Sequence, residues 1–275
     1  MHAATFATPG ATLYYETRGS GPILLLLAGS GGDAAIFDTI IDSLAAHFTT
    51  VALDPRGYSR STLAVDEPLD QAIDVISEDL HRLLEFLTPA GEDAYVFGGS
   101  GGAVIALDLL ARHPERLRKV VAHEPPCFQV LPDARTHRAF VDEVRRLFHT
   151  EGLAAAGAHF LAGIGGSMKP LPDPAELPPR RAEMIQRIQA NTPAMMEHEL
   201  GIVTSYRPDE TALAAVADRL VLGAGRDDPD RLPCRPAATL ADRLGIDVVR
   251  FPGGHSGFTD APEEFTTLLL ALLLA

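Results

Sequence analysis

Short apolar runs alternate with amphipathic segments of helical period along most of this chain, and that alternation admits few folds. PILLLLAG (22–29), TTVALD (49–54), AYVFG (94–98), LRKVVAHEP (117–125), RLVLGAG (219–225) and DVVRFPG (247–253) are mostly apolar and end at glycine, proline or aspartate. Runs without a polar face suit strands buried on both sides. ATLYYETRG (11–19) alternates instead and reads as a further strand. Segments 34–48, 70–87, 103–114, 236–245 and the stretch from about 261 have helical spacing; in 70–87, Ile73, Ile76, Leu80, Leu83, Leu84 and Leu87 share one side. The pattern predicts an α/β fold: a mostly parallel central sheet with helices on both faces.

The alternation breaks between about 126 and 210. Segments 138–149, 152–164, 180–192 and 194–206 are helical in pattern, with no strand among them, and the Pro-rich KPLPDPAELPP (169–179) divides them. An all-helical block between two strand–helix stretches reads as an insertion over one end of the sheet. The predicted division is a core of 1–125 and 210–275 and a helical cap of 126–209. Phe128, Met168, Met195 and Met196 are among the apolar residues that could line an adaptable pocket beneath it.

Charge and cysteine usage exclude several functions. The formal net charge is −14, from 23 basic and 37 acidic residues, and no basic run appears. That argues against nucleic acid or an anionic membrane as partner. Cys127 and Cys234 stand far apart, and the ten histidines include no HxxxH spacing. No metal or organic cofactor is implied. The reading is a reduced, cytoplasmic protein, a monomer or a homodimer. The N-terminal stretch lacks a basic start followed by an apolar run, so no secretory signal is expected. FTTLLLALLLA (265–275) is about half the ~20 residues of a membrane span and reads as a buried helix.

One stretch carries the strongest chemical signal. Gly98-Gly99-Ser100-Gly101-Gly102 lies between a strand pattern and a helix pattern and fits G-x-S-x-G. In that setting a serine sits at the apex of a sharp turn, where small neighbours let strand and helix pass closely. The helix N-terminus beside it favours developing negative charge. The glycines on both sides of Ser100 are expected to leave extra room. A serine needs a base, and His255 follows the last strand on a Gly-flanked loop. The base needs an acid to fix its tautomer. Asp227, Asp228 and Asp230 follow the penultimate strand, and Glu124 follows the strand after Ser100. Two backbone N–H groups would hold an oxyanion: that of Gly101 and, from the loop Ala28–Asp33, that of Ser30.

With LLLLAGSGGD, VALDPRGYSRS, VFGGSGGAVIALDLLARHPERL, LVLGAGRDD and PGGHSGF in hand, the chain resembles the α/β-hydrolase fold superfamily over nearly all its length outside the cap. The resemblance implies a catalytic triad of Ser100, Asp228 and His255. Asp227 and Glu124 stand as alternative acids, the latter because some members carry the acid there. Asp54 and Arg56 resemble the family's structural turn. The implied enzyme is a serine hydrolase of small, partly apolar carboxylic esters, thioesters or lactones, working through an acyl-enzyme. The alternative is the same pocket used for a non-hydrolytic reaction (lyase, acyl transfer, C–C cleavage, cyclisation) or for ligand binding alone.

Overall fold

The computed structural model describes all residues except 71, 90, 167–170 and 228. Its strands are β1 (His2–Thr8), β2 (Ala11–Arg18), β3 (Ile23–Leu27), β4 (Thr49–Leu53), β5 (Thr62–Leu63), β6 (Ala94–Gly99), β7 (Leu117–His123), β8 (Leu220–Gly225) and β9 (Val248–Phe251). They form one sheet in the order β1-β2-β4-β3-β6-β7-β8-β9, with β5 on β2. From β4 through β9 along this order all pairings are parallel; β1, β2 and β5 pair antiparallel.

The leucine run of β3 shows why the apolar segments became central strands. Leu24 and Leu26 pack into one core layer, and Leu25 and Leu27 into the other. Side chains alternate faces along a strand, so a run with helices on both sides must be apolar throughout. Helices α2 (Ile73–Leu87), α3 (Gly101–Arg112) and α9 (Arg235–Leu244) bury their apolar stripes in the first-face cluster with Leu25 and Leu27. On the other face lie α1 (Ile41–Ala45), the short α10 (Gly257–Asp260) and α11 (Pro262–Leu273), around Phe37, Phe97, Phe251 and Phe265. Phe265, Leu269 and Leu273 are buried, so the apolar C-terminal stretch is a core helix. No described helix is long and apolar enough to cross a membrane.

Between β7 and β8 the described residues contain helices and no strand: α4 (Ala134–Glu151), α5 (Leu153–Gly163), α6 (Pro179–Ala194), α7 (Leu200–Ser205) and α8 (Glu210–Ala214). A π turn, Met195–Glu199, joins α6 to α7 just after Pro193. Proline has no N–H to give the helical ladder, and the widened turn follows that gap. Three polar residues of α6 attach this segment to the sheet. Arg180 bonds Glu16 and Asp38, Arg187 bonds Asp33, and Asn191 reaches the loop after β3.

Segment 34–48 departs from the single helix its spacing predicts. It forms a 3-10 turn (Ala34–Thr39) and then α1. Asp33 accepts the Ala35 N–H and Asp54 accepts the Ala34 N–H, which pins the first turn tightly. Asp54 and Arg56 hold the turn after β4. Asp54 takes a bidentate contact from Arg60, while buried Arg56 bonds Asp79 at 2.6 Å and Glu67 at 2.7 Å.

Candidate functional site

Ser100 sits between β6 and α3 with φ 55 and ψ −122, a backbone region costly for a residue with a side chain. Its neighbours dictate the glycines around it. A Cβ on Gly98 would lie 2.3 Å from the Gly102 carbonyl oxygen, and one on Gly102 would lie 2.3 Å from the Leu27 oxygen. The room expected beside Ser100 is absent on the Gly101 side: a Cβ there would meet Ser30 Oγ at 2.3 Å and Ser30 N at 2.9 Å. The loop after β3 fills that space, so the Ser30 and Gly101 backbones lie side by side next to the serine. Gly101 opens α3, and the first N–H groups of a helix have no carbonyl four residues earlier to bond. Gly29 also borders the serine; a Cβ on it would be 3.8 Å from Ser100 Oγ.

Strand register places the next residue. Gly99 of β6 pairs with His123 of β7, so Ser100 and Glu124 leave the sheet side by side. The Ser100 N–H donates to the His123 oxygen, and the Glu124 N–H to the Gly223 oxygen. Glu124, like Ser100, has a left-handed backbone, with φ 50. Its carboxylate is buried and fully engaged. Oε1 accepts from the Gly225 N–H at 2.7 Å and the Cys234 thiol at 3.0 Å. Oε2 lies 2.6 Å from His255 Nδ1. An ionised carboxylate only accepts, so Nδ1 carries the proton and Nε2 is left as the basic nitrogen. Burial pushes the Glu124 carboxyl up, but the hydrogen bond and charge of His255, then His123 and the Cys234 thiol, bring it down to about 2. Among the described residues the Ser100 hydroxyl makes no hydrogen bond, with His255 or any other group.

Asp227 and Asp230 stand elsewhere. Asp227 is exposed, 4.0 Å from Arg226 Nε. Asp230 is exposed as well, and Asp228 lies outside the described residues, as does Met168 of the pocket residues. The histidine's Nδ1 is therefore held from β7. The β8 loop meets the His255 loop through backbone, Asp227 N–H to the Gly253 oxygen.

Two residues from outside the predicted set reach the loop after β3. Glu199, from the π turn, accepts the Gly31 N–H at 2.9 Å, with the Ser30 and Tyr58 hydroxyls beside its carboxyl. Burial raises its carboxyl above the usual value, against the pull of those three donors. Asn191 donates to the oxygens of Gly31 and Gly32 and to Ser59 Oγ. A trace of Glu199 exists in the sequence. It is an acidic residue on the stripe that includes Met196, Leu200 and Val203, all buried.

Concavity does not single out this site. A cavity of about 230 Å³ opens between α4 and α7, lined by His137, Arg138, Asp142, Arg145 and Glu197 among others, and it includes none of Ser100, Glu124 and His255. One cluster with metal-binding residue types, His81, His113 and Glu115, lies on α2 and beyond α3. Its two imidazoles stack 3.8 Å apart at 8°, which turns their lone pairs parallel rather than toward one point.

Residues 22–190 match the family model described as alpha/beta hydrolase fold. The chain is 34% identical, over 99% of its length and 96% of the relative's, to YraK of Bacillus subtilis (strain 168), named an uncharacterized hydrolase. Among solved structures it is similar to a thermophilic esterase from Thermogutta terrifontis (TM-score 0.72, 20% identity, 100% of this chain and 98% of that one). It is likewise similar to the enol-lactonase of Burkholderia xenovorans LB400 (TM-score 0.70, 17% identity, 99% and 100%). Those two identities speak for the fold alone. The family match and the full-length relative establish more: the chain belongs to the α/β hydrolase fold family.

Proposed function

We propose that the protein is a serine hydrolase of small carboxylic esters, thioesters or lactones, with Ser100 as nucleophile, His255 as base and Glu124 as the acid that orients it. The observation that carries the reading is the 2.6 Å contact between His255 Nδ1 and Glu124 Oε2, one strand over from a serine held in a strained turn. Glu124 takes the acid's role in this reading, rather than Asp228 or Asp227, because His255 has one Nδ1 and Glu124 occupies it. The site lies beneath the helical cap of 126–209. The names of the similar esterase and enol-lactonase agree with this substrate class.

The steps follow from the protonation states. Nε2 of neutral His255 takes the Ser100 proton as Oγ attacks the substrate carbonyl carbon. The Glu124 carboxylate stabilises the imidazolium that results. The Ser30 and Gly101 N–H groups face the new oxyanion, which collapses as the imidazolium gives its proton to the departing alcohol or thiol. Water, giving a proton to the same Nε2, then attacks the acyl-Ser100 ester; the second oxyanion collapses as the imidazolium returns that proton to the departing Ser100 Oγ, and the acid product leaves. Cys127 and Cys234 are buried thiols, which suits a reduced, cytoplasmic setting.

The test is intact-mass spectrometry after incubation with a fluorophosphonate, beside a p-nitrophenyl ester assay on the wild type and Ser100→Ala. One adduct on Ser100, with turnover lost in the folded mutant, supports the reading. A folded mutant that turns over ester like the wild type would sink it.

A further inference from the structure

We infer that Glu199 is a positioning residue: with Asn191 on the opposite side, its carboxyl lets the cap set the geometry of the oxyanion loop. The inference rests on the reading above for its kinetic consequence, though not for its structural one.

The loop Ala28–Gly32 has little holding power of its own. Gly32 N–H bonds back to the Gly29 oxygen, and Gly31 takes φ +62. The peptide between Ser30 and Gly31 follows directly on the N–H assigned to the oxyanion, so its orientation helps aim that N–H. Glu199 accepts from the Gly31 N–H of this peptide, and the Ser30 and Tyr58 hydroxyls stand beside its carboxyl, the latter from the turn after β4. Asn191 holds the opposite side, donating to the Gly31 oxygen at 2.9 Å. The loop is therefore gripped by donor and acceptor from one stretch, α6 and its π turn. Met195 closes the remaining gap: a Cβ on Gly31 would lie 3.0 Å from Met195 Cβ. The π turn contributes to this grip. One extra residue in a helical turn re-aims the side chains after it, and Glu199 ends that turn.

Both roles of the carboxyl are acceptor roles toward fixed donors. An amide oxygen at the same place can accept from the Gly31 N–H, and hydroxyls can rotate to meet the amide NH₂. Glu199→Gln therefore keeps the grip, whereas Glu199→Ala removes it and leaves the Gly31 N–H without its partner.

Two readouts on the full-length protein test this. The first is hydrogen exchange of a peptide covering 28–33. Exchange at Gly31 should accelerate at least about 10-fold in Glu199→Ala, because a protected amide opens, and should stay near the wild-type rate in Glu199→Gln. The second is p-nitrophenyl ester kinetics. In Glu199→Ala, kcat should fall about 10- to 100-fold with KM changed less than about 3-fold, as expected for a misaimed oxyanion donor; Glu199→Gln should recover most of that loss. Unchanged exchange in Glu199→Ala overturns the inference whatever the chemistry. So does a defect confined to KM, which would make Glu199 a substrate contact, and so does Glu199→Gln as impaired as Glu199→Ala, which would make charge the requirement. If the wild type shows no serine reactivity, the hydrolase reading fails, and the exchange comparison alone still decides whether Glu199 fixes the loop.

Discussion

Glu124 accepts the Nδ1 proton of His255 from the strand next to the one that ends at Ser100. The β8 loop offers three aspartates to the same histidine, yet exposed Asp227 faces Arg226. Removing the acid in such a group costs the correct tautomer and the stabilisation of imidazolium. Glu124→Gln should lower kcat by about 10²- to 10⁴-fold. Asp227→Asn should remain within about 3-fold of the wild type, as surface changes do, and so should Asp228→Asn, because Glu124 already occupies His255 Nδ1. Ester kinetics on the three variants check this. A deep loss in Asp228→Asn with Glu124→Gln unaffected would return the acid to the β8 loop.

His123 gives the fold an acid-sensitive point. It is fully buried against Phe251 and Phe265, and among the described residues neither ring nitrogen has a hydrogen-bond partner. Burial lowers its pKa to about 4, against the pull of Glu124. The unfolded chain then binds a proton near pH 6.5 that the folded chain refuses. The resulting stability is present above about 6.5 and lost as pH falls toward 4. Urea melts across that window should show a steeper decline for the wild type than for His123→Phe. Parallel declines would assign the acid sensitivity elsewhere.

Arg56 is 2% exposed and bonds Asp79, Glu67 and the Pro9 oxygen. Deleting one partner of a buried ion pair leaves the other charge only partly compensated. Asp79→Ala should therefore cost about 3–5 kcal/mol in urea unfolding. A cost below about 1 kcal/mol would mean that water or Glu67 replaces the lost carboxylate.

The elbow glycines separate folding from chemistry. Gly98→Ala sets a methyl 2.3 Å from a backbone oxygen, which cannot yield without moving α3, and should reduce soluble folded protein sharply. Gly101→Ala meets the Ser30 hydroxyl first, a side chain that can turn away, and then the Ser30 nitrogen at 2.9 Å. It should fold, and it should lose about 10²-fold in fluorophosphonate reactivity as the two N–H groups part. Circular dichroism and labelling rates, measured together, distinguish the two. Equal behaviour of the variants would contradict the packing described for the loop.

Much of the fold was legible because burial on both faces leaves an unmistakable apolar run, as in Leu24–Leu27, and glycines punctuate the turns at Ser100 and His255. Edge strand β1 was not. HAATFAT is exposed or half-buried throughout, with Ala4 and Phe6 packed against the core. The 3-10 turn at 34–39 was set by Asp33 and Asp54, a pairing invisible along the chain. At the site, Glu124 appeared in the sequence as one acid among several. Choosing among them requires knowing which loop faces His255, and that depends on strand order. Glu199 was hidden more deeply. Its partner Gly31 lies 168 residues away, so only a lone charge on an apolar stripe betrayed it.

The neighbouring left-handed backbones of Ser100 and Glu124 also bear on how such a protein can change. Glycine would relieve both positions, and each relief would delete a side chain the proposed chemistry needs. Mutations there that make the chain hardier make it poorer as a catalyst. Selection for heat tolerance alone would erode these two positions, while selection for turnover must keep restoring them.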